Sequence, residues 1–71
     1  MYVKEGGPYP VLRGILRERR MQLEQLALWL GISVSTVYTK INGKTDWTLT
    51  EAVTIKEKLG YNKKLELLFT R

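Results

Sequence analysis

The side chains that usually carry out catalysis are few and scattered in this sequence. It contains no histidine and no cysteine, which removes the commonest general base, the commonest metal ligand and the thiolate nucleophile. The acidic residues stand apart along the chain, and Ser33 and Ser35 lie at a predicted helix start with no base within reach. The pair Gly6-Gly7 is too short for a phosphate-binding loop and precedes no strand. We therefore expect a protein that is not an enzyme and that holds neither a metal nor a cofactor.

The charge balance indicates a different kind of chemistry. Twelve lysines and arginines stand against seven acidic residues in 71 positions, a formal net charge of +5. A solubilising surface explains this excess as readily as nucleic-acid binding does, so charge alone leaves both open. The length fits one domain. No apolar run approaches the roughly 18 residues of a membrane span, and no secretory leader is visible, so we expect a cytoplasmic protein without membrane contact.

The stretch from Gln22 to Gly43 has the pattern of two short helices joined by a tight turn. Apolar residues at helical spacing predict the first helix over about Leu23 to Leu30. Gly31 then supplies the left-handed backbone that ends this helix. Ser33 is a good N-cap for a second helix over Val34 to about Ile41, which ends at Asn42-Gly43. The small Ala27 allows the two helices to cross closely.

Twelve residues of this stretch occur in an order and at a spacing that can be compared with known motifs. They are Leu26, Ala27, Leu30, Gly31, Ile32, Ser33, Thr36, Val37 and the closing Ile41-Asn42-Gly43-Lys44. In this order the stretch resembles the helix-turn-helix of the phage Cro/lambda-repressor (Xre) family, and the similarity extends more weakly over residues 10–69. The sequence departs from the family where Gln22-Leu23 replaces the usual Thr-Gln and where the apolar pair Leu28-Trp29 replaces polar residues. The resemblance implies an all-α, compact five-helix lambda-repressor-like domain, with the helix-turn-helix at helices 2 and 3, that binds double-stranded DNA.

The third helix is the candidate for reading bases. Val37 and Ile41, four residues apart, are expected to face the core. The residues that would then face a DNA major groove are Val34, Ser35, Tyr38 and Thr39. Hydroxyl groups can donate to or accept from base edges, whereas valine and the threonine methyl suit thymine methyl groups. Because this helix has no arginine, we expect modest direct readout and a larger share from backbone contacts and DNA shape. The alternative for Ser35 and Thr36, which we favour less, is ordinary helix surface.

Contacts with the DNA backbone are predicted on both sides of this helix. The N-terminus of helix 2 has free N–H groups and a positive dipole end, and in the resembling family it abuts the backbone. In the family the residue at the start of helix 2 forms a hydrogen bond to a base, which Leu23 cannot do. We expect the neighbouring Gln22 to supply a polar side chain there instead. In the family the loop after helix 3 lies on phosphates, and Asn42 and Lys44 match it by position. The arginines of helix 1 are either a solvated face or further contacts. The predicted backbone contacts are Gln22, Ser33, Thr36, Lys40, Asn42, Lys44, Arg13 and Arg17.

The rest of the chain is expected to frame the helix-turn-helix. Residues 1–9 contain Gly6-Gly7-Pro8 and no periodicity, so we predict a flexible N-terminal arm followed by one domain over residues 10–71. Helix 1 should run from Pro10 to about Arg20. Its apolar stripe is predicted to be Val11, Leu12, Ile15 and Leu16, with Arg13 and Arg17 facing outward.

Two more helices are predicted in the C-terminal third. Thr48 and Glu51 have the spacing of a capping box, and helix 4 should run from there to Leu59, where Gly60 ends it. Its apolar stripe is predicted to be Leu49, Ala52, Ile55 and Leu59, with Trp47 packing across the helix end. Asn62 is expected to cap a short helix 5 from Lys63 to about Phe69.

Two hypotheses of function follow from the sequence. The first is a sequence-specific transcriptional regulator, a phage or prophage protein of the Cro or repressor type, which blocks transcription by binding an operator as a homodimer. That dimer would use helix 5 and the region around Trp47. The sequence leaves open whether it forms in free solution or only on DNA. The alternative is a small protein-interaction modulator of a repressor on the same fold, motivated by Leu28-Trp29 as an apolar contact surface. A plainer explanation is that Trp29 packs on the N-terminal arm near Tyr2 or Tyr9.

Overall fold

A computed structural model describes residues 3–4 and 6–71 of the chain, and this part of the protein is all-helical. Its elements are α1 (Pro10–Glu18), α2 (Leu23–Leu30), α3 (Val34–Ile41), α4 (Leu49–Leu59) and α5 (Leu65–Leu68). Helix α2 packs against both α3 and α4, while α5 packs against α4 and α1. The predicted all-α fold with the helix-turn-helix at α2 and α3 is confirmed.

Most helix ends follow from local signals. Gly31 and Gly60 both have φ of +68°, which ends α2 and α4 in the left-handed region that glycine adopts without cost. The capping box of α4 is present, with Thr48 Oγ1 accepting from the Glu51 N–H at 3.1 Å and Glu51 Oε1 accepting from the Thr48 N–H at 2.9 Å. These two hydrogen bonds satisfy N–H groups at the helix start that would otherwise have no partner.

Helix α1 ends two residues before the predicted Arg20. The reason is a Schellman-type end, in which the Met21 N–H reaches the Leu16 carbonyl at 2.9 Å and the Arg20 N–H reaches the Arg17 carbonyl at 3.1 Å. This geometry requires a left-handed residue, and Arg20 supplies it with φ of +56°. A side chain with a Cβ is strained in that conformation.

The core lies where all five helices meet. Its fully buried side chains are Leu12, Leu16, Leu26, Val37, Ile55 and Leu68. Val3 and Tyr9, from the segment that we predicted to be a flexible arm, are also buried in this core. Tyr9 packs edge-on against Trp47 and Phe69, with ring centroids 6.4 and 6.2 Å away. Trp29 is half-buried and packs against the same core cluster. Tyr2, the other suggested partner of Trp29, lies outside the described residues.

Three predictions about the apolar stripes and the last helix are wrong. Leu49 is 72% exposed, because it occupies the first position of α4, where the side chain points away from the core. Val11 is also exposed, although Leu12 and Leu16 are buried as expected. Helix α5 begins after Lys64 and has no side-chain cap, so Asn62 does not cap it. A helix of four residues is held by tertiary contacts such as those of Leu68, which a local capping signal does not report.

Candidate nucleic-acid interface

The turn between α2 and α3 has the geometry that the sequence predicts. After Gly31, the Ile32 N–H bonds to the Ala27 carbonyl at 3.1 Å, which turns the chain back over α2. Ser33 caps α3: its Oγ accepts from the Thr36 N–H at 3.2 Å and shares a hydrogen bond with Thr36 Oγ1 at 2.9 Å. The two hydroxyls are therefore paired with each other at the start of α3.

The inward face of α3 fixes the helix on the body of the protein. Val37 and Ile41 are buried in the core, as predicted. Ile32 is half-buried and packs against the same core, next to the small Ala27. Because this face is held by apolar contacts along its length, the side chains on the opposite face have a fixed position on the surface.

The outward face of α3 carries the predicted base-reading residues at different degrees of exposure. Ser35 is exposed, and Val34 and Thr39 are half-buried. Ser35 and Thr39, at positions i and i+4, lie side by side on the helix surface. Thr39 Oγ1 donates to the Thr36 carbonyl at 2.8 Å. Tyr38 is half-buried and borders a small cavity next to the N-terminal segment, so it stands at the edge of this face.

Arg13 does not face outward, and that prediction is wrong. Its side chain is only 5% exposed, and its guanidinium reaches across to the C-terminal end of α3. Nη2 donates at 2.8 Å to both the Ile41 carbonyl and Asn42 Oδ1, and Nε donates at 2.6 Å to the Pro8 carbonyl. The Lys4 carbonyl accepts from Nη1 at 3.3 Å. All these acceptors are neutral oxygens, and desolvation lowers the pKa of Arg13 from its ordinary value.

The contact between Arg13 and Asn42 settles how Asn42 presents its amide. An arginine can only donate, so the side-chain oxygen of Asn42 must face it. The Nδ2 group of Asn42 is then the part of this amide left to donate elsewhere. Asn42 is half-buried at the C-cap of α3, so its predicted place beside the DNA backbone is compatible with the structure.

Lys40 makes contacts within the protein at the end of α3, and its role as a phosphate contact stays a prediction. Its Nζ lies 2.9 Å from Glu51 Oε1 and 3.0 Å from the Asp46 carbonyl, and its side chain is 12% exposed. The ammonium also lies 6.0 Å from the ring centroid of Trp47. These contacts tie the last turn of α3 to the start of α4 and leave little of the charge for a ligand.

Lys44, Arg17 and Gln22 keep positions at the surface. Lys44 is exposed in the loop after α3, where its N–H bonds to the Thr39 carbonyl at 3.0 Å. Arg17 and Gln22 border a concave region of about 320 Å³ at the start of α2, and Arg20 joins them there. From the sequence, Arg20 belongs only to the arginines of helix 1, because its place beside α2 depends on the unexpected turn at the end of α1.

One further residue at the loop after α3 was missed entirely. Arg71 donates through Nε to Tyr9 Oη at 3.2 Å and through Nη1 to the Gly43 carbonyl at 3.4 Å, and it forms an ion pair with Asp46. It therefore links the C-terminus to the loop after α3. No local pattern around Arg71 signals this contact, because its partners lie at least 25 positions away.

A short helix with hydroxyl groups on its outer face, docked through a tight turn on a second helix and followed by a basic loop, defines a helix-turn-helix DNA-binding domain. Residues 11–60 match the family described as Cro/C1-type HTH DNA-binding domain, and the chain belongs to this family. It is a DNA-binding regulator with double-stranded DNA as its partner. Comparisons with curated proteins and with solved structures found no match. Among the described residues, no helix combines the length and apolar character needed to cross a bilayer.

Proposed function

We propose that this protein is a sequence-specific transcriptional regulator of phage or prophage origin that represses by occupying an operator. The observation that carries the proposal is the outer face of α3, the recognition helix, where Ser35 is exposed while Val37 and Ile41 lock the opposite face into the core. The exposed Lys44 in the following loop supports contact with a phosphate beside that face. In this proposal the protein binds DNA in the cytoplasm and catalyses no reaction.

The proposed active form is a homodimer. The described molecule measures 27 × 24 × 22 Å, while two half-sites read from one side of the duplex are roughly 34 Å apart. One copy therefore reaches one half-site. A single eight-residue recognition helix reads only a few base pairs, and a useful ratio of specific to non-specific binding needs both half-sites.

The surface that we propose for the dimer lies between the start of α4 and α5. A groove of about 500 Å³ is bordered there by apolar side chains that include Trp47, Leu49 and Phe69. Leu49 stands on its rim and is largely exposed, and Leu67 of α5 is also exposed. Burial of these side chains against a second copy would remove apolar surface from water.

A titration of labelled duplex tests the regulator directly. Duplexes selected from a random pool are titrated at two salt concentrations, and we expect tight binding with a salt slope that corresponds to several phosphates. Enriched sequences should contain two half-sites in inverted orientation at one-turn spacing. Absence of any enriched sequence, together with a flat salt dependence, would contradict the proposal.

The alternative function, a protein-interaction modulator on the same fold, rests on one exposed side chain. Leu28 is 77% exposed on α2, but Trp29 is half-buried and packs against the core. The predicted apolar pair is therefore a single exposed leucine, which is common on protein surfaces. The same titration separates the two functions, since a modulator of this kind has little affinity for any duplex.

A further inference from the structure

The hydroxyl groups on the recognition helix differ in what they can offer a base. A threonine hydroxyl has one proton to donate and two lone pairs that accept. In Thr39 that proton is already donated to the Thr36 carbonyl at 2.8 Å. Towards the outside, Thr39 therefore presents an acceptor oxygen and its methyl group, but no donor.

The neighbouring side chains reinforce this pattern. Val34 is half-buried and packs partly against the core, and the part that remains exposed offers only methyl groups. Lys40, the one cationic residue of α3, is held by Glu51 at 2.9 Å. Ser35 is exposed, and no described residue bonds to its hydroxyl, so it is the free donor in the middle of this face. Apart from Tyr38 at its edge, the surface formed by Val34, Ser35 and Thr39 therefore has one free hydroxyl donor, on Ser35, beside the methyl groups of Val34 and Thr39.

Base edges in the major groove respond differently to such a surface. Guanine presents two acceptors, N7 and O6, and needs donors, whereas thymine presents a methyl group beside its O4 acceptor. Adenine and cytosine present amino groups that an acceptor oxygen can satisfy. Guanine opposite Thr39 would place acceptor against acceptor and leave polar groups unpaired.

We infer that the operator half-site is read chiefly through thymine methyl groups, which contact Val34 and the methyl group of Thr39, and that Thr39 discriminates against guanine. This inference rests on the proposed function, because it assumes that α3 enters a major groove. It adds the chemical identity of the contacted bases and names the two residues that determine specificity.

The test replaces thymidine by deoxyuridine in the selected duplex, one position at a time. This change removes the 5-methyl group and leaves the hydrogen-bonding edge intact. At one or more thymines of each half-site we expect affinity to fall about fourfold, which is the value of burying one methyl-sized group. Deoxyuridine in the flanking sequence serves as the control and should leave affinity unchanged.

Two variants of Thr39 separate the methyl group from the hydroxyl. Thr39→Ser keeps the hydroxyl and its bond to Thr36 but lacks the methyl group, so it should lose about fourfold on the thymine duplex and become insensitive to deoxyuridine at its contact position. Thr39→Val keeps a methyl group there and lacks the hydroxyl, so it should retain sensitivity to deoxyuridine. Thermal unfolding of both variants confirms that each is folded at the titration temperature.

The possible results distinguish the inference from the function on which it rests. If no duplex is preferred over random DNA, the proposed function fails and the inference fails with it. If the selected duplex is bound specifically but every deoxyuridine substitution is without effect, only the inference is overturned. A third result is specific binding in which Thr39→Val loses the sensitivity to deoxyuridine while Thr39→Ser keeps it. This result would overturn the inference but leave the proposed function intact.

Discussion

The guanidinium of Arg13 in α1 donates to the main-chain carbonyl of Ile41, the last residue of the recognition helix, at 2.8 Å. The same nitrogen reaches Asn42 Oδ1, also at 2.8 Å. A cation at the C-terminal end of a helix interacts favourably with the helix dipole. Arg13 therefore fixes the end of the recognition helix and the orientation of the residue that begins the following loop.

Replacement of Arg13 by methionine should destabilise the protein strongly. The carbonyls of Ile41 and Pro8 would lose their donor, and buried unpaired acceptors cost enough that we expect a loss on the order of 3 kcal/mol in the free energy of unfolding. Urea denaturation measures this change. Arg19→Met, at an exposed position, is the matched control and should stay within about 0.5 kcal/mol of the original protein. Equal effects of the two substitutions would show that Arg13 has no special structural role.

Replacement of Arg20 by glycine should stabilise the protein. Arg20 adopts φ of +56° at the end of α1, and glycine removes the clash of the Cβ in that conformation, so we expect a gain of about 0.5–1 kcal/mol. Arg20→Ala removes the same charge but keeps the Cβ, and it should give no gain. A melting temperature that rises for the glycine variant alone is the expected result; a similar rise for alanine would assign the effect to charge instead.

The ion pair between Lys40 and Glu51 should make stability depend on pH. Burial alone would raise the pKa of Glu51, but hydrogen bonds from Lys40 and the Thr48 N–H, with the charge of Lys40, outweigh it, so this pKa is lowered. A carboxyl with a lowered folded pKa stabilises the protein above its unfolded pKa, about 4.3, and this contribution is lost as the pH falls through the folded pKa.

The test of this pH dependence uses Glu51→Gln, which can still reach the Thr48 N–H but carries no charge. At pH 7 it should be less stable by about 1 kcal/mol, and the difference should shrink as the pH is lowered from about 5 towards 3. Glu57→Gln, at an exposed position of the same helix, is the control. A difference from the original protein that is constant over this pH range would rule out the ion pair as its source.

Lys44 and Lys40 should behave differently although both lie near the end of α3. Lys44 is exposed, so Lys44→Gln should weaken binding to all duplexes alike and reduce the magnitude of the salt slope by about one. Lys40→Gln should mainly lower stability, because Lys40 is paired with Glu51. Lys58→Gln, in the last turn of α4, should change neither the salt slope nor the stability of the protein. An unchanged salt slope for Lys44→Gln would remove this residue from the backbone contacts.

The parts of the fold that the sequence predicts well are those with local signals. The bounds of α2 and α3, the cap at Ser33 and the box at Thr48 and Glu51 all depend on residues within four positions of each other. The parts that it misses depend on distant partners. Arg13 has a spacing suited to the outer face of α1, but acceptors 28 and 29 positions away draw it into the protein.

The same distinction between local signals and distant partners applies to the residues of the candidate site. Ser35 and Thr39 could be placed from helical spacing alone, because the burial of Val37 and Ile41 fixes the phase of the helix. Lys40 could not, because its partner Glu51 belongs to another helix. The bond from Thr39 to Thr36 is local, but whether a threonine in a helix donates to a preceding carbonyl depends on its side-chain rotamer, which the sequence does not determine.

The most direct test of the account is a map of backbone amide signals by NMR while the protein is titrated with a selected duplex. We predict that the largest shifts fall on residues 33–35, on Thr39, on residues 42–44 and at the start of α2, with smaller shifts at the groove between α4 and α5 where the proposed homodimer forms. Shifts centred on Leu28 or on the C-terminal turn of α4, with the outer face of α3 unchanged, would contradict the claim that this helix enters the DNA.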